Sequence, residues 1–387
     1  TGLNGAVVYP EFLTDDARLT VATARSAIDH GAVVSTYLRA VDIRREGEFV
    51  VNAVSTLPGD HDELTMKARA VINAAGPWVD QVCGLEGDHQ SRLALSRGVH
   101  LVFDHADLPV RNTVVMRTHD SRRIFAVPLG QYTYIGTTDD YHPEFEYWPP
   151  VTEQDVDYLL SSTRRVMPEA NLTVDRIVSV WSGIRPLVGD GSGRASKELS
   201  RKDDVWTSQS GLLSVGGGKL SAYRAMAERV VDTLIDNHAF AARPCSTAEV
   251  PLPGGERVTL ATALKGVDEV QAERLARLYG TEAPELAAAV SESGLVAAEV
   301  GQAVLHEGAQ RLEDYWVRRS SRAWFDEGAG LARLPQAASA MAALLGWDEA
   351  RQTAEIQNCR DIDRDSRAGF TTGTSDSGDA DDVRAAG

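Results

Sequence analysis

Leu212-Leu-Ser-Val-Gly-Gly-Gly-Lys-Leu-Ser-Ala-Tyr-Arg-Ala-Met-Ala-Glu-Arg-Val-Val-Asp232 decides the fold. A short apolar run (Leu212, Leu213, Val215) breaks at Gly216, Gly217 and Gly218, and apolar residues then return at spacings of three and four: Leu220, Tyr223, Ala227, Val230, Val231 and Leu234. That pattern predicts strand, glycine turn and helix. Glycines there let a ligand approach the backbone, and the free N–H groups and positive dipole end of the new helix favour an anion or an electron-rich ring edge. Lys219 adds a formal charge at the same place. Taken alone, the pattern describes a plain strand-to-helix connection equally well, so the flanking sequence has to decide.

Upstream, Ala70-Val-Ile-Asn-Ala-Ala-Gly-Pro-Trp-Val-Asp80 repeats the theme: a buried-strand run, a small-residue turn over Asn73 to Gly76, and Pro77 in the favoured first position of a helix. In open α/β sheets such strand ends hold nucleotide ligands. Nearer the start, Gly5 to Tyr9 reads as strand. Thr14 is placed to cap a helix that Gly31 closes, Ala32 to Ser35 reads as a second strand, and a hairpin through Arg39–Ile43 and Phe49–Val54 turns at Glu46-Gly47. From Ser96 strands follow one another at Gly98–Phe103, Thr113–Met116, Arg123–Leu129, Tyr132–Thr138 and Ile177–Trp181, with one helix near Glu153 to Val166. This predicts a mostly antiparallel sheet inserted between two pieces of an α/β domain. Beyond Pro251–Gly255 the chain turns helical, with expected helices at Val270–Tyr279, Ala283–Ser291, Leu295–Phe325 and Ala337–Arg351. The expected division is 1–12 as the start of a substrate-domain strand, 13–95 as an α/β part, 96–210 as the antiparallel domain and 211–240 as the return to the α/β part. A linker at 241–256, a helical domain at 257–370 and a disordered acidic tail at 371–387 complete it.

Length and charge narrow the function. A chain of 387 residues has room for two or three domains. Its net charge of −17, with no basic run longer than Arg122-Arg123 or Arg318-Arg319, excludes nucleic acid as a main partner. Cys83, Cys245 and Cys359 lie far apart and form no CxxC pair, which suits a reducing cytoplasm and suggests neither disulfides nor a thiolate metal site. His100 and His105, with Asp104 adjacent, would need a third ligand partner that the sequence does not point to, so no metal is expected. The longest nearly apolar stretch, Ala337 to Trp347, is short of the roughly 20 residues that span a bilayer. The amphipathic helices of the C-terminal part suit a core or a homodimer contact better than a membrane face. Peripheral contact with the inner face of the membrane stays open.

Five ordered stretches carry a resemblance: Asn73-Ala-Ala-Gly-Pro-Trp-Val-Asp80, Ser96-Arg-Gly-Val-His100, Ile135-Gly-Thr-Thr-Asp139, Trp181-Ser-Gly-Ile-Arg-Pro-Leu187 and Gly217-Gly-Lys-Leu-Ser-Ala-Tyr-Arg224. With Tyr315-Trp-Val-Arg-Arg319 in the helical part, the series resembles the FAD-dependent, quinone-reducing glycerol-3-phosphate dehydrogenases from about residue 5 to about 365. The resemblance implies a split Rossmann-like FAD-binding domain, an inserted mostly antiparallel α+β substrate domain and a C-terminal all-α domain. It implies oxidation of sn-glycerol 3-phosphate to dihydroxyacetone phosphate, with hydride passing from C2 to flavin N5 and electrons going on to a quinone. The GxGxxG segment that holds the FAD pyrophosphate in that family is absent, so a fragment of a longer enzyme is expected. A related flavin oxidase using oxygen or an amine substrate, and a non-catalytic assembly module unable to hold FAD, stand as alternatives.

The resemblance also implies the site. Arg185, Arg201 and Lys219 are the candidate phosphate ligands, offering forks and a point charge. His100 is the candidate proton acceptor, with Arg185 or a water as substitutes, and Asp139 is placed to orient a histidine or an arginine. For the cofactor, Val34, Ala74, Ala75, Gly76, Trp78, Gly217, Gly218, Lys219 and Leu220 are the candidates.

Overall fold

The computed structural model describes residues 5, 7–88, 90–170, 172–189, 203–256 and 264–370. Arg201 and the 371–387 tail lie outside them. Helix α1 spans Asp16–Asp29 and is capped by Asp15, whose carboxylate accepts from Arg18 N, rather than by Thr14. The expected strands at Gly5–Tyr9 and Ala32–Ser35 are not formed among the described residues. Both have strand-like residues but no neighbouring ladder to bond to, and Val7, Val8 and Val33 stand exposed. Strands β1 (Leu38–Glu46) and β2 (Glu48–Ser55) make the expected hairpin, with Gly47 at positive φ in its turn, and β3 (Glu63–Ala68) extends it to a three-stranded meander.

Strand β4 is only Ile72–Asn73, followed by a turn at Gly76–Trp78 with proline at its start and by α2 (Val79–Gly84). The long strand β5 (Leu93–Asp104) then opens the antiparallel domain with β6 (Val114–Arg117), β7 (Arg123–Leu129), β8 (Tyr132–Gly136) and β9 (Asp140–His142). Helix α3 (Glu153–Val166) begins in a reciprocal cap between Thr152 and Asp155. Strand β10 (Ile177–Val188) returns beside β5, giving the order β10-β5-β8-β7-β6 with β9 also on β5. Val99, Leu101 and Phe103 of β5 pack with Val156, Leu159 and Leu160 of α3 in the core, so alternation puts Gly98 and His100 on the other face. Strand β11 (Asp203–Thr207) pairs with β12 (Leu213–Gly217), which runs parallel to β4, and α4 (Tyr223–His238) follows through a short turn at Leu220–Ala222. Strand, glycine turn and helix therefore stand in the expected order.

The helical part comprises α5 (Glu269–Tyr279), α6 (Ala283–Ser293), α7 (Leu295–Leu305), a π-helical turn at Asp314–Arg319, α8 (Arg322–Phe325), α9 (Leu334–Leu345) and α10 (Glu349–Arg367). Two expected helices are broken. The Leu295–Phe325 run is interrupted by left-handed Gly308 and Ser321, and the Ala337–Arg351 run by left-handed Gly346, after which Asp348 caps α10. No helix among the described residues is long and apolar enough to cross a membrane.

Helix α1 has no fully buried residue, yet it is fastened to the helical part by charge. Arg18 forks onto Glu307 at 2.5 and 2.8 Å, and Arg25 onto Glu282 at 2.7 and 2.6 Å. Deeper in, fully buried Glu299 accepts from Arg274 (2.8 Å), Arg322 (2.6 Å) and Tyr315 (3.0 Å). Burial acts to raise its pKa, but Arg274 and then Arg322 outweigh burial and hold it below the usual carboxylate value. That stabilisation is present above the unfolded pKa and is lost as acid protonates the carboxylate. Removing one member of such a cluster leaves buried charge without a partner, so Glu299→Ala should lower stability by about 3–5 kcal/mol in urea unfolding. A loss under about 1 kcal/mol would show the cluster to be dispensable.

Candidate active site

Two glycines inside strands shape the site. A Cβ on Gly98 would collide with the guanidinium of Arg185, and one on Gly136 with the imidazole of His100. An interior glycine in a strand commonly marks such a close approach. Cross-strand register explains both: Gly136 faces His100 across β8–β5, and Arg185 faces Ser96 across β10–β5, two residues from Gly98. Arg185 is held by Thr137 Oγ1 (2.8 Å) and the Thr138 carbonyl (3.3 Å), and pairs with Asp139 Oδ1 at 3.7 Å. Asp139 Oδ1 in turn accepts from buried Ser96 Oγ at 2.5 Å. Of the two roles open to Asp139, the geometry gives it the arginine.

His100 stacks on its cross-strand partner Trp181, with centroids 4.6 Å apart and planes at 13°, and meets the edge of Tyr134 at 5.9 Å. Its Nδ1 is shielded and has no hydrogen-bond partner among the described residues. Burial first, and the charge of Arg185 second, push its pKa down to about 3. The imidazole is therefore neutral at physiological pH, and it is a weaker base than an ordinary histidine.

Arg185 opens on two cavities. The larger, about 1430 Å³, is also lined by Val34, Gly217, Gly218, Lys219 and Leu220, so most of the expected cofactor residues share one cleft. That is larger than the roughly 300–1,000 Å³ of ordinary ligand pockets and leaves room for a dinucleotide. Gly217 and Gly218 have φ of 74° and 86°, and a Cβ on Gly218 would strike Met226, so this turn is open to close approach only with glycine there. The smaller cavity, about 500 Å³, holds His100, Tyr134 and Trp181 and is closed by Arg277, Ser321, Trp324 and Phe325 of the helical part. Ala74, Ala75, Gly76 and Trp78 do not line either cavity. Asn73 instead bonds Ser214 and the Val79 carbonyl to lock this turn, and Trp78 packs on Phe145 at 4.1 Å. The helical-part residues of the smaller cavity escaped the sequence reading, whereas isolated Gly98 and Gly136 within alternating strands were a legible sign of close approach.

The profile of the FAD dependent oxidoreductase family matches residues 1–224. That of the C-terminal domain of alpha-glycerophosphate oxidase matches residues 245–352. The aerobic glycerol-3-phosphate dehydrogenase of Bacillus subtilis is 32% identical over 94% of this chain and 70% of its own length. The chain belongs to the FAD-dependent glycerol-3-phosphate dehydrogenase family. A Staphylococcus aureus member is 34% identical over 84% of this chain, which spans 63% of that relative's length. Among solved structures, the glycerol-3-phosphate dehydrogenase of Bacillus halodurans, complexed with FAD, superposes with a TM-score of 0.81 at 30% identity, covering 92% of this chain and 74% of that one. Family membership and fold agree with the resemblance read from the five motifs.

The depressed pKa of His100 has a direct signature in this dehydrogenase-family site. Its ring proton shifts should stay constant from pH 8 to pH 5 in nuclear magnetic resonance titration and move only towards about pH 3. A midpoint near 6.5 would contradict the burial and the Arg185 field described here.

Proposed function

We propose that the protein binds FAD in the larger cleft and oxidises sn-glycerol 3-phosphate to dihydroxyacetone phosphate, with a quinone as the final electron acceptor. The observation that carries this is Arg185, fixed by Thr137 and Asp139 at the junction of a dinucleotide-sized cleft and a cavity holding a neutral histidine. When bound, FAD supplies the hydride acceptor that amino-acid side chains lack. Val34, Gly217, Gly218 and Leu220 would hold it, and the positive dipole end of the turn and helix beginning at Leu220 would favour the charge that gathers on a reduced ring.

The remaining chemistry falls to the chain itself. The C2 hydroxyl loses a proton as the C2 hydrogen leaves with its electron pair, giving the ketone. Neutral His100 is the acceptor we assign to that proton. A dianionic phosphate ester entering the site offsets the Arg185 charge, the lesser of the two causes that depress the imidazole, and so raises its basicity in part, while the burial remains. Cations at Arg185 and Lys219 support a phosphorylated alcohol over an amine substrate. The dehydrogenase names of the Bacillus and Staphylococcus relatives support an acceptor other than oxygen. A quinone would be met at the inner face of the membrane, with the protein itself on the cytoplasmic side.

The purified protein should show flavin absorption bands that bleach when glycerol 3-phosphate is added without oxygen and return when a soluble quinone follows. Absence of the bands would remove the cofactor assignment. Bands indifferent to the ester would remove the substrate, and recovery with oxygen but not with quinone would replace the acceptor.

A further inference from the structure

We propose that the smaller cavity is the route by which the proton lost from the substrate's hydroxyl leaves the site, passing from His100 to solvent through cavity water, with Tyr134 and Asp16 as its positioning residues. The proposal rests on reading His100 as the acceptor of that proton. The phosphate of the ester belongs with Arg185 and Lys219 on the glycine-turn side, so the smaller cavity is left free of it. His100 lines the smaller cavity and not the larger, and with Nδ1 shielded it exchanges protons there through Nε2.

Two groups that share this cavity with His100 are placed to carry a proton. Tyr134 meets the imidazole edge-on with ring centroids 5.9 Å apart, and its hydroxyl makes no hydrogen bond among the described residues. Burial first, and then the charges of Asp15 and Asp16, push its pKa up to about 12, so the phenol stays protonated and can accept one proton while donating another. Asp16, in the first turn of α1, is solvent-accessible and lines both cavities. Its carboxylate accepts from Ala17 N at 2.9 Å and makes no ion pair among the described residues, whereas neighbouring Asp15 is engaged by Arg18 N and Ser321 Oγ. Desolvation by the cleft walls, and then the charge of Asp15, raise the Asp16 pKa towards the range in which a carboxylate exchanges protons readily. A polar cavity of about 500 Å³ has room for several waters to bridge these groups.

The C2 O–H bond breaks and its proton goes to His100 Nε2, while the C2 hydrogen departs with its electron pair to the flavin. Burial and Arg185 hold the imidazole pKa down to about 3, so the imidazolium is unstable and its proton is driven on to cavity water. Arg185 and Arg277 also line the cavity, but a guanidinium has no acceptor and keeps its protons, so neither can carry the charge. The proton therefore passes by way of Tyr134 and water to Asp16, which yields it to bulk solvent. Each carrier ends in the protonation state in which it began.

The test compares the flavin-loaded parent with Asp16→Asn, Asp16→Glu and Tyr134→Phe. Two quantities are read: exchange of the His100 ring proton with water, by nuclear magnetic resonance without substrate, and proton release to an indicator dye during anaerobic flavin reduction by glycerol 3-phosphate. In Asp16→Asn both should slow by about 100-fold, the low end of what one positioned proton acceptor contributes, with release lagging behind bleaching and the apparent Kd for the ester unchanged. Tyr134→Phe should slow both by about 10-fold, because water bridges part of the gap, and Asp16→Glu should restore them. Ring-proton exchange within about twofold of the parent in both Asp16→Asn and Tyr134→Phe would overturn the proposal, as would release that keeps pace with bleaching in Asp16→Asn. If exchange slows as expected but the ester does not bleach even the parent, the proton route stands and the substrate reading fails.

Discussion

The guanidinium of Arg185 lying over the backbone of Gly98 is the contact on which the site depends. Strand β5 is bonded to β10, β8 and β9, and its other face is committed to the core through Val99, Leu101 and Phe103. The face that remains must accommodate an arginine from β10 and a histidine of its own, and only residues without Cβ at 98 and 136 leave that room. Thr137, Thr138 and Asp139, directly after β8, then fix the arginine in place. One sheet face thus sets the position of the cation, the burial of the histidine and the opening between two cavities.

The helical domain is part of this site through electrostatics rather than apolar packing of α1. Forked pairs from Arg18 and Arg25 hold α1 against it, and Tyr37 donates to Asp314 at 2.9 Å from the start of the meander. Paired buried charges give little net stability, but they penalise any misplacement because each displaced partner leaves a buried charge uncompensated. Trp324 and Phe325 of that domain line the smaller cavity with His100.

Much of this was legible in the sequence. The run from Glu153 to Val166 marked α3, and the three glycines before Lys219 marked the turn that lines the larger cleft. Ala32–Ser35 misled because strand propensity describes a residue's fit to a ladder and says nothing about whether a neighbour is there. The Leu295–Phe325 run misled because alanine, leucine and glutamate favour helix throughout, while left-handed Gly308 and Ser321 are set by tertiary packing. Arg185 and His100 were found through ordered motifs. Arg277 was not, since in sequence it is indistinguishable from Arg274 three positions earlier, and only the fold shows that one has a carboxylate and the other a cavity.

In the proposed site the missing Cβ at residue 98 places Arg185, and Arg185 in that position serves the reaction. The collision in Gly98→Ala is with the flexible end of a side chain, so the sheet should survive and the guanidinium should move. Anaerobic reduction of the bound flavin by glycerol 3-phosphate in this variant tests the claim most directly. Flavin content should be unchanged and the reduction rate lower by about 100-fold, the scale on which one positioned donor contributes to a transition state. A rate within about threefold of the parent, with flavin content retained, would contradict it.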